Sequence, residues 1–164
     1  VEIFVYANGS VLWDGHRARC ALGHGGVHQD KREGDGATPA GRFPLRRILY
    51  RADRIAAPDS GLPIRPIAPD DGWCDDPADR NYNRPVNLPY PGRHERLWRE
   101  DGLYDVVTVL GHNDDPVVPG RGSAIFLYVA GPGWQPTEGC VAMALDDLLT
   151  LLAATVPGDV IVVG

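Results

Sequence analysis

The sequence predicts a mainly β fold, and three observations carry that expectation. Twenty glycines and fifteen prolines interrupt the chain so often that long helices have little room. Short β-branched or aromatic runs recur between the breaks. Alternation of apolar and polar residues is imperfect in several of these runs, which suits strands buried on both faces of a sandwich. At 164 residues the chain has the length of one domain, 1–164. A chain of that size buries roughly two-thirds of its unfolded surface without staples.

Taken in order, strands are expected at Ile3 to Tyr6, Arg17 to Leu22, Gly41 to Tyr50, Val106 to Leu110, Ala124 to Val129 and Val160 to Val163. The opening Val1-Glu2-Ile3-Phe4-Val5 reads as a strand and not as a signal peptide, so either a leader has been removed or export is not encoded here. No stretch approaches the roughly 18 apolar residues of a transmembrane segment. From Pro58 to Pro91 the chain is rich in Pro, Asp and Asn, with Gly72-Trp73-Cys74-Asp75-Asp76 at its centre. A loop of that length is a lid or is disordered, and the embedded Trp73, Tyr82 and Tyr90 favour a packed lid. Two short helices are expected, Arg93 to Arg99 and Leu145 to Ala153. In the second, Asp146 and Asp147 occupy the first turn ahead of a leucine-rich face. No internal repeat or low-complexity tract is visible.

Lys and Arg number 16 against 22 Asp and Glu, a formal net charge of -6. The basic residues are scattered, which argues against a nucleic-acid partner. Three cysteines are too few for a disulfide scaffold, and an odd count leaves at least one thiol free. Cys20 and Cys74 either pair, leaving Cys140, or stay free, since the sequence does not fix their separation. Cys20, His24 and His28, each four apart, make a metal-ligand stripe only on a helix, which Gly23, Gly25 and Gly26 oppose. Surface or packing histidines are the better reading, and no metal or cofactor is expected. His94 beside Glu95, on the first expected helix, reads as a solvated face.

The chemistry concentrates at Thr137-Glu138-Gly139-Cys140, a cysteine in a glycine turn after an apolar run. Gly139 permits close approach, and the N–H groups of Gly139 and Cys140 are natural donors to a developing oxyanion. Cys140 is the candidate nucleophile and needs thiolate character, which a neighbouring imidazole or backbone dipoles can supply. The plainer reading is a buried inert thiol. Thr137 either caps the turn or hydrogen-bonds a substrate amide.

Three blocks together resemble the L,D-transpeptidase catalytic domain, the family of cysteine enzymes that cross-link bacterial peptidoglycan, in the branch with a Thr-Glu-Gly-Cys turn. They are Lys31 to Gly41, which contains Gly34-Asp35-Gly36-Ala37-Thr38-Pro39; Gly72-Trp73-Cys74-Asp75-Asp76 with Asn81-Tyr82-Asn83; and Gly111 to Cys140. The resemblance implies an L,D-transpeptidase-type β-sandwich with one or two short peripheral helices and a long lid-like loop. It also implies a Cys140 thiolate that attacks the L-to-D peptide bond of a donor stem. The terminal D-residue leaves, and the acyl group passes to the side-chain amine of diaminopimelate on an acceptor stem, without metal or organic cofactor. The partners implied are peptidoglycan stem peptides, with carbapenems as covalent inhibitors, and the setting is the periplasm or cell envelope.

Most of the family carries His where this chain has Glu138, and Arg or Asn shortly after the cysteine where it has Val141-Ala142. A carboxylate beside a thiolate raises the thiol pKa, so Glu138 is expected to face solvent, an amine acceptor or another cation. The branch places its catalytic His twelve residues before the cysteine, where this chain has Tyr128. Where the branch reads Gly-Tyr-Asn-Asp, this chain reads Gly111-His112-Asn113-Asp114. The exchange predicts His112 as the base and Tyr128 as its hydrogen-bonding partner on an adjacent strand. The plainer reading of His112 is a turn residue, with low activity or a cysteine working alone. Asn113 and Asp114 are candidate substrate contacts. Lys31, Asp35 and Thr38 line the site or form a solvated turn. Trp73 and Arg80 offer an aromatic face and a guanidinium to sugar or stem carboxylate, although lid packing explains Trp73 equally well.

The product is a diaminopimelate-to-diaminopimelate (3-3) or an L-alanine-to-diaminopimelate (1-3) link. The alternatives are an L,D-carboxypeptidase or endopeptidase, if water resolves the acyl-enzyme, and a retired domain that binds peptidoglycan without chemistry.

Overall fold

The computed structural model describes residues 1–164. Its elements are β1 (Glu2–Tyr6), β2 (Ser10–Trp13), β3 (His16–Ala21), β4 (Val27–His28), β5 (Thr38–Pro39), β6 (Gly41–Tyr50), β7 (Ile64–Pro66), β8 (Asp71–Cys74), β9 (Pro85–Asn87), β10 (His94–Arg96), β11 (Val106–Leu110), β12 (Phe126–Val129), β13 (Val141–Met143), α1 (Leu145–Ala153) and β14 (Val160–Val163). The six expected strands are all present, and the fold is mainly β. β12 starts two residues later than the apolar run, because Ala124 adopts a left-handed φ of 54° that takes it out of the ladder.

The main sheet runs β11-β12-β13-β3-β2-β1-β14-β6-β7, and β6 also pairs with β11. β6 makes this closure possible by its length. Its first residues, Gly41 to Pro44, pair with β14, and from Leu45 onward it pairs with β11. The ladder therefore returns on itself, which satisfies backbone groups that an open edge would leave exposed.

Its interior holds Ile3, Val5, Val11, Ile48, Leu127, Val141, Met143 and Ile161, all nearly inaccessible, with Leu148, Leu151 and Leu152 of α1 laid against them. Those three leucines recur at helical spacing, which is why the element between β13 and β14 is a helix. Asp146 and Asp147 sit in its first turn, where the peptide dipoles favour negative charge.

The region expected to be a lid loop is itself folded. β8 and β9 lie within it, and β10 joins them in a separate three-stranded sheet ordered β10-β8-β9. β10 corrects the helix expected from Arg93 to Arg99. Cross-strand pairing of His94 with Cys74, Glu95 with Trp73 and Arg96 with Gly72 overrides a helix-compatible composition. A second apolar cluster, including Trp73, Leu97, Tyr104, Val107, Val109, Phe126 and Cys140, seals this sheet onto the main one. The Trp73 ring meets Phe126 edge-on, with centroids 5.1 Å apart.

Tyr82 is the second tie between lid and barrel. Its hydroxyl donates to Glu33 Oε1 at 2.6 Å and accepts the Gly122 N–H at 2.9 Å. Tyr82→Phe leaves the Gly122 N–H unpaired, while Glu33 Oε1 keeps its bond from Ser123, and we expect a loss of about 1–3 kcal/mol in stability. The midpoint of urea unfolding measures it.

Candidate functional site

Cys140 directly precedes β13, whose parallel pairing sets Val141 beside Leu127 of β12. That register brings Cys140 to Phe126, whose backbone N–H reaches the Cys140 sulfur at 3.3 Å. The thiol in turn donates to the Ala124 carbonyl at 3.2 Å. Ala124 is held in its left-handed conformation from the other side, its N–H donating to Asn83 Oδ1 at 3.0 Å. The sulfur thus has two backbone contacts and no side-chain hydrogen bond.

The turn itself is braced by two threonine hydroxyls on one carbonyl. Thr137 Oγ1 donates to the Cys140 carbonyl at 2.8 Å, and Thr38 Oγ1 donates to the same oxygen at 3.0 Å. Thr137 Oγ1 also accepts the Gly139 N–H at 3.2 Å, while Thr38 Oγ1 accepts the Gly23 N–H at 2.8 Å. Gly139 has a φ of 128°, and a Cβ there would stand 2.8 Å from the Ala37 carbonyl oxygen and 3.0 Å from Lys31 Nζ. Only glycine fits without strain.

Cys140 opens onto a cavity of about 500 Å³ between the turn, β12 and the lid sheet. Thr137, Glu138, Tyr128, Tyr104, Glu95, Arg99, His94, Asp75 and Glu33 share its lining. Burial pushes the Cys140 thiol up to about 12, with the Phe126 N–H and the Lys31 charge pulling it down and Glu95 and Glu138 pushing it further up. At rest the group is a neutral thiol, so chemistry at this sulfur needs a base.

His112 stands elsewhere. Its Nε2–H donates to the Arg121 carbonyl at 2.9 Å, its ring packs edge-on against Phe43 at 5.3 Å, and it is not part of the cavity wall. Burial, with Lys31 close by, holds its pKa below the usual imidazole value. Tyr128 does line the cavity, where burial and the neighbouring Cys140 push its phenol well above the ordinary range. Its ring lies edge-on to Tyr104 at 5.3 Å, so the partner of Tyr128 is a second tyrosine and not an imidazole.

The other expected site residues divide in the same way. The Glu138 carboxylate is 91% exposed at the cavity rim, 3.0 Å from His24 Nε2. Lys31 and Asp35 form a pair beneath the Cys140 turn, Nζ to Oδ1 at 2.6 Å, with the ammonium only 5% exposed. Thr38 is buried in the bracing just described. Asn113 folds its own loop, bonding Val118 and Gly122. Asp114 takes a bidentate pair from Arg46 at 2.9 and 3.0 Å. Trp73 is buried, donating to Asn83 Oδ1 at 3.0 Å. It faces a smaller cavity of about 140 Å³, with Arg47 and Asp114, away from Cys140. Arg80 is exposed and lines neither cavity.

Cys20, Cys74 and Cys140 are all free thiols. Cys20 lies in the barrel core and Cys74 in the lid sheet. No group of His, Cys, Asp and Glu is arranged to hold a metal ion.

Sequence reasoning missed Asn83 as a linker and the whole lid contribution of Asp75, His94, Glu95, Arg99 and Tyr104. Asn83 Nδ2 donates to the carbonyls of both His112 and Asn113, at 3.1 and 2.7 Å. With its bonds to Trp73 and Ala124 it joins the lid, the loop after β11 and the segment that holds the thiol. Glu95 was hidden by the helix reading of its segment. Its burial beside a phenol has no local signature in the sequence.

A family model described as the L,D-transpeptidase catalytic domain (YkuD) matches residues 2–163. No curated protein and no solved structure matches the chain.

Proposed function

Because the chain belongs to the L,D-transpeptidase catalytic domain family, we propose that it cross-links peptidoglycan stem peptides through a cysteine acyl-enzyme. The observation that carries this reading is a buried thiol, held by the Phe126 and Ala124 backbone after a glycine whose site strains any side chain, opening onto a cavity of about 500 Å³. In the proposed reaction Cys140 attacks the carbonyl of the L-to-D bond in the donor stem, and the backbone N–H groups of Glu138 and Cys140 serve the developing oxyanion, since the Gly139 N–H is given to Thr137 Oγ1. The D-residue leaves, and the side-chain amine of diaminopimelate resolves the thioester.

An amine as the acceptor is supported by the lining, where Glu33, Asp75, Glu95 and Glu138 outnumber Arg99. Such a lining draws the protonated amine to the cavity, where it loses a proton to solvent and attacks the thioester as the free base. Arg99, already paired with Asp101, is the one guanidinium of the lining, and its remaining nitrogen is the contact proposed for a stem carboxylate. His112 is poorly placed to act as the base, since its Nε2 is committed to Arg121 and its ring lies outside the cavity. The work proposed belongs to the cell envelope. No helix of the protein is long and apolar enough to cross a membrane.

Mass spectrometry of purified disaccharide-tetrapeptide and disaccharide-pentapeptide after incubation, with Cys140→Ala alongside, tests the proposal. Cross-linked dimers that disappear with the variant are the expected result, and fragmentation identifies the donor residue as a 3-3 or 1-3 link. Shortened monomers alone would assign a hydrolase, and unchanged substrate would mean that the domain binds without chemistry.

A further inference from the structure

Given the proposed cysteine acyl transfer, on which this inference rests, we infer that Glu95 is the general base that ionises Cys140, acting across the cavity directly or through one water, with Tyr104 fixing its carboxylate. Three observations converge on it. Glu95 and Cys140 line the same cavity, and the thiol has no side-chain partner of its own. Tyr104 donates its hydroxyl to Glu95 Oε1, while Glu95 Oε2 accepts no bond from the protein. On β10, Glu95 pairs across the sheet with Trp73, whose ring packs on Phe126, the residue whose N–H touches the sulfur.

His94 is the obvious rival, since it too reaches the cavity lining. Successive side chains of a strand point to opposite faces. His94 lies opposite Cys74 and against Tyr90, with its Nδ1–H given to the Gly92 carbonyl at 2.8 Å. Glu95 is therefore on the barrel-facing side of the lid sheet and His94 on the other.

Burial raises the Glu95 carboxyl above the ordinary range, opposed by the Tyr104 bond and by Arg99, and reinforced by Asp75 and Glu33. From β12 and the cysteine turn it is faced by Tyr128 and Cys140, and Arg99 beside it is itself paired with Asp101. A carboxylate lifted in this way is a stronger base than one in water.

The proton balance closes. As the S–C bond forms, the thiol proton passes to Glu95. As the C–N bond breaks, Glu95 returns it to the leaving amine. The acceptor amine, in its free-base form, then attacks the thioester and gives one proton to Glu95, and the departing thiolate recovers it.

The test is the rate of Cys140 alkylation by iodoacetamide between about pH 5 and about pH 9, with turnover of disaccharide-tetrapeptide measured in parallel. Wild type, Glu95→Gln, Glu95→Asp, His94→Gln and Cys140→Ala are compared, each checked by thermal melting. Glu95→Gln keeps an acceptor for Tyr104. It is expected to slow alkylation about tenfold and turnover about 100-fold, abolishing the acidic limb, with part of the loss recovered by Glu95→Asp.

A carboxylate that merely sits near the sulfur predicts the opposite sign, because removing its charge lowers the thiol pKa and speeds alkylation. Equal or faster alkylation in Glu95→Gln would overturn the inference. So would loss of the limb in His94→Gln alone. If Glu95→Gln does not fold, Glu95→Asp decides, with an unchanged rate and limb counting against a base at this position. Undiminished turnover by Cys140→Ala would instead overturn the acyl-enzyme reading itself, a result distinct from any of these.

Discussion

Gly139→Ala is expected to reduce turnover about 1,000-fold while leaving the protein folded. The methyl group would meet the Ala37 carbonyl oxygen at 2.8 Å, a backbone atom that cannot rotate away, and Lys31 Nζ at 3.0 Å. The φ of 128° is also one that an L side chain rarely adopts. Relief comes by moving the turn, and the turn carries both the sulfur and the N–H groups that face the oxyanion. A misplacement of about 1 Å costs on the order of 100-fold in rate, and a weakened oxyanion donor about tenfold more. Stability should fall by only about 1–3 kcal/mol, the strain of one disfavoured residue. Turnover of disaccharide-tetrapeptide and a thermal melt on the same preparation separate the two effects. Turnover within threefold of wild type would mean that the turn yields without disturbing Cys140.

Asp35→Ala should be the most damaging single change outside the apolar core. Lys31 is 5% exposed and has Asp35 as its one hydrogen-bonding partner, at 2.6 Å. Removing the carboxylate leaves an ammonium buried without a counter-ion, which costs about 3–5 kcal/mol. It also frees the N–H groups of Ala37 and Arg32, both of which Asp35 accepts. For a domain of this size the melting temperature should fall by about 10 °C.

The same pair sets a pH dependence. Desolvation pushes the Asp35 carboxyl up, but the Lys31 bond and the Ala37 and Arg32 N–H groups outweigh it, so its folded pKa lies below the unfolded value. Its stabilisation is therefore fully present above the unfolded carboxylate pKa of about 3.9 and is lost as pH falls through the lower folded value. Melting curves from neutral pH down to about pH 2 should show wild type losing stability faster than Asp35→Ala, whose curve lacks this component. Parallel curves would mean that the pair contributes nothing. Because Lys31 also contacts Gly139, a loss of activity without unfolding at 25 °C would show the pair acting on the turn.

What was legible in the sequence was what neighbouring residues encode. The runs at Gly41 to Tyr50 and Val106 to Leu110 read as strands because their apolar content lies between breakers, and both have the expected bounds. Leu145 to Ala153 read as a helix because leucines at helical spacing follow two aspartates. The strand at Ser10 to Trp13 was missed, since four residues between turns carry too little pattern. His94 to Arg96 was misread, since charged residues are compatible with a helix until β8 offers an edge to pair with.

The Thr137-Glu138-Gly139-Cys140 turn was recognised from its own residues, because close approach and backbone donors are local properties. Its surroundings were not local. An imidazole at 112 and a phenol at 128 can be imagined face to face from sequence, yet β11 pairs Val107 with Tyr128 and leaves His112 beyond the ladder, bonded to Arg121.

The sequence by itself determined a mainly β chain, the helix from Leu145 to Ala153, the glycine turn with its cysteine, and through these the family. Only the tertiary structure decided that the ladder closes through β6 and β11, that the lid is a sheet, and that Glu95, Tyr104 and Arg99 share a cavity with Cys140. The physical reason is range. Turns, helix faces and strand runs are fixed by dihedral preferences and side-chain periodicity over a few residues. The charge and burial around the sulfur are fixed instead by which distant strands pair, and that pairing, not residue type, sets Glu95 against Tyr104 and raises its carboxyl.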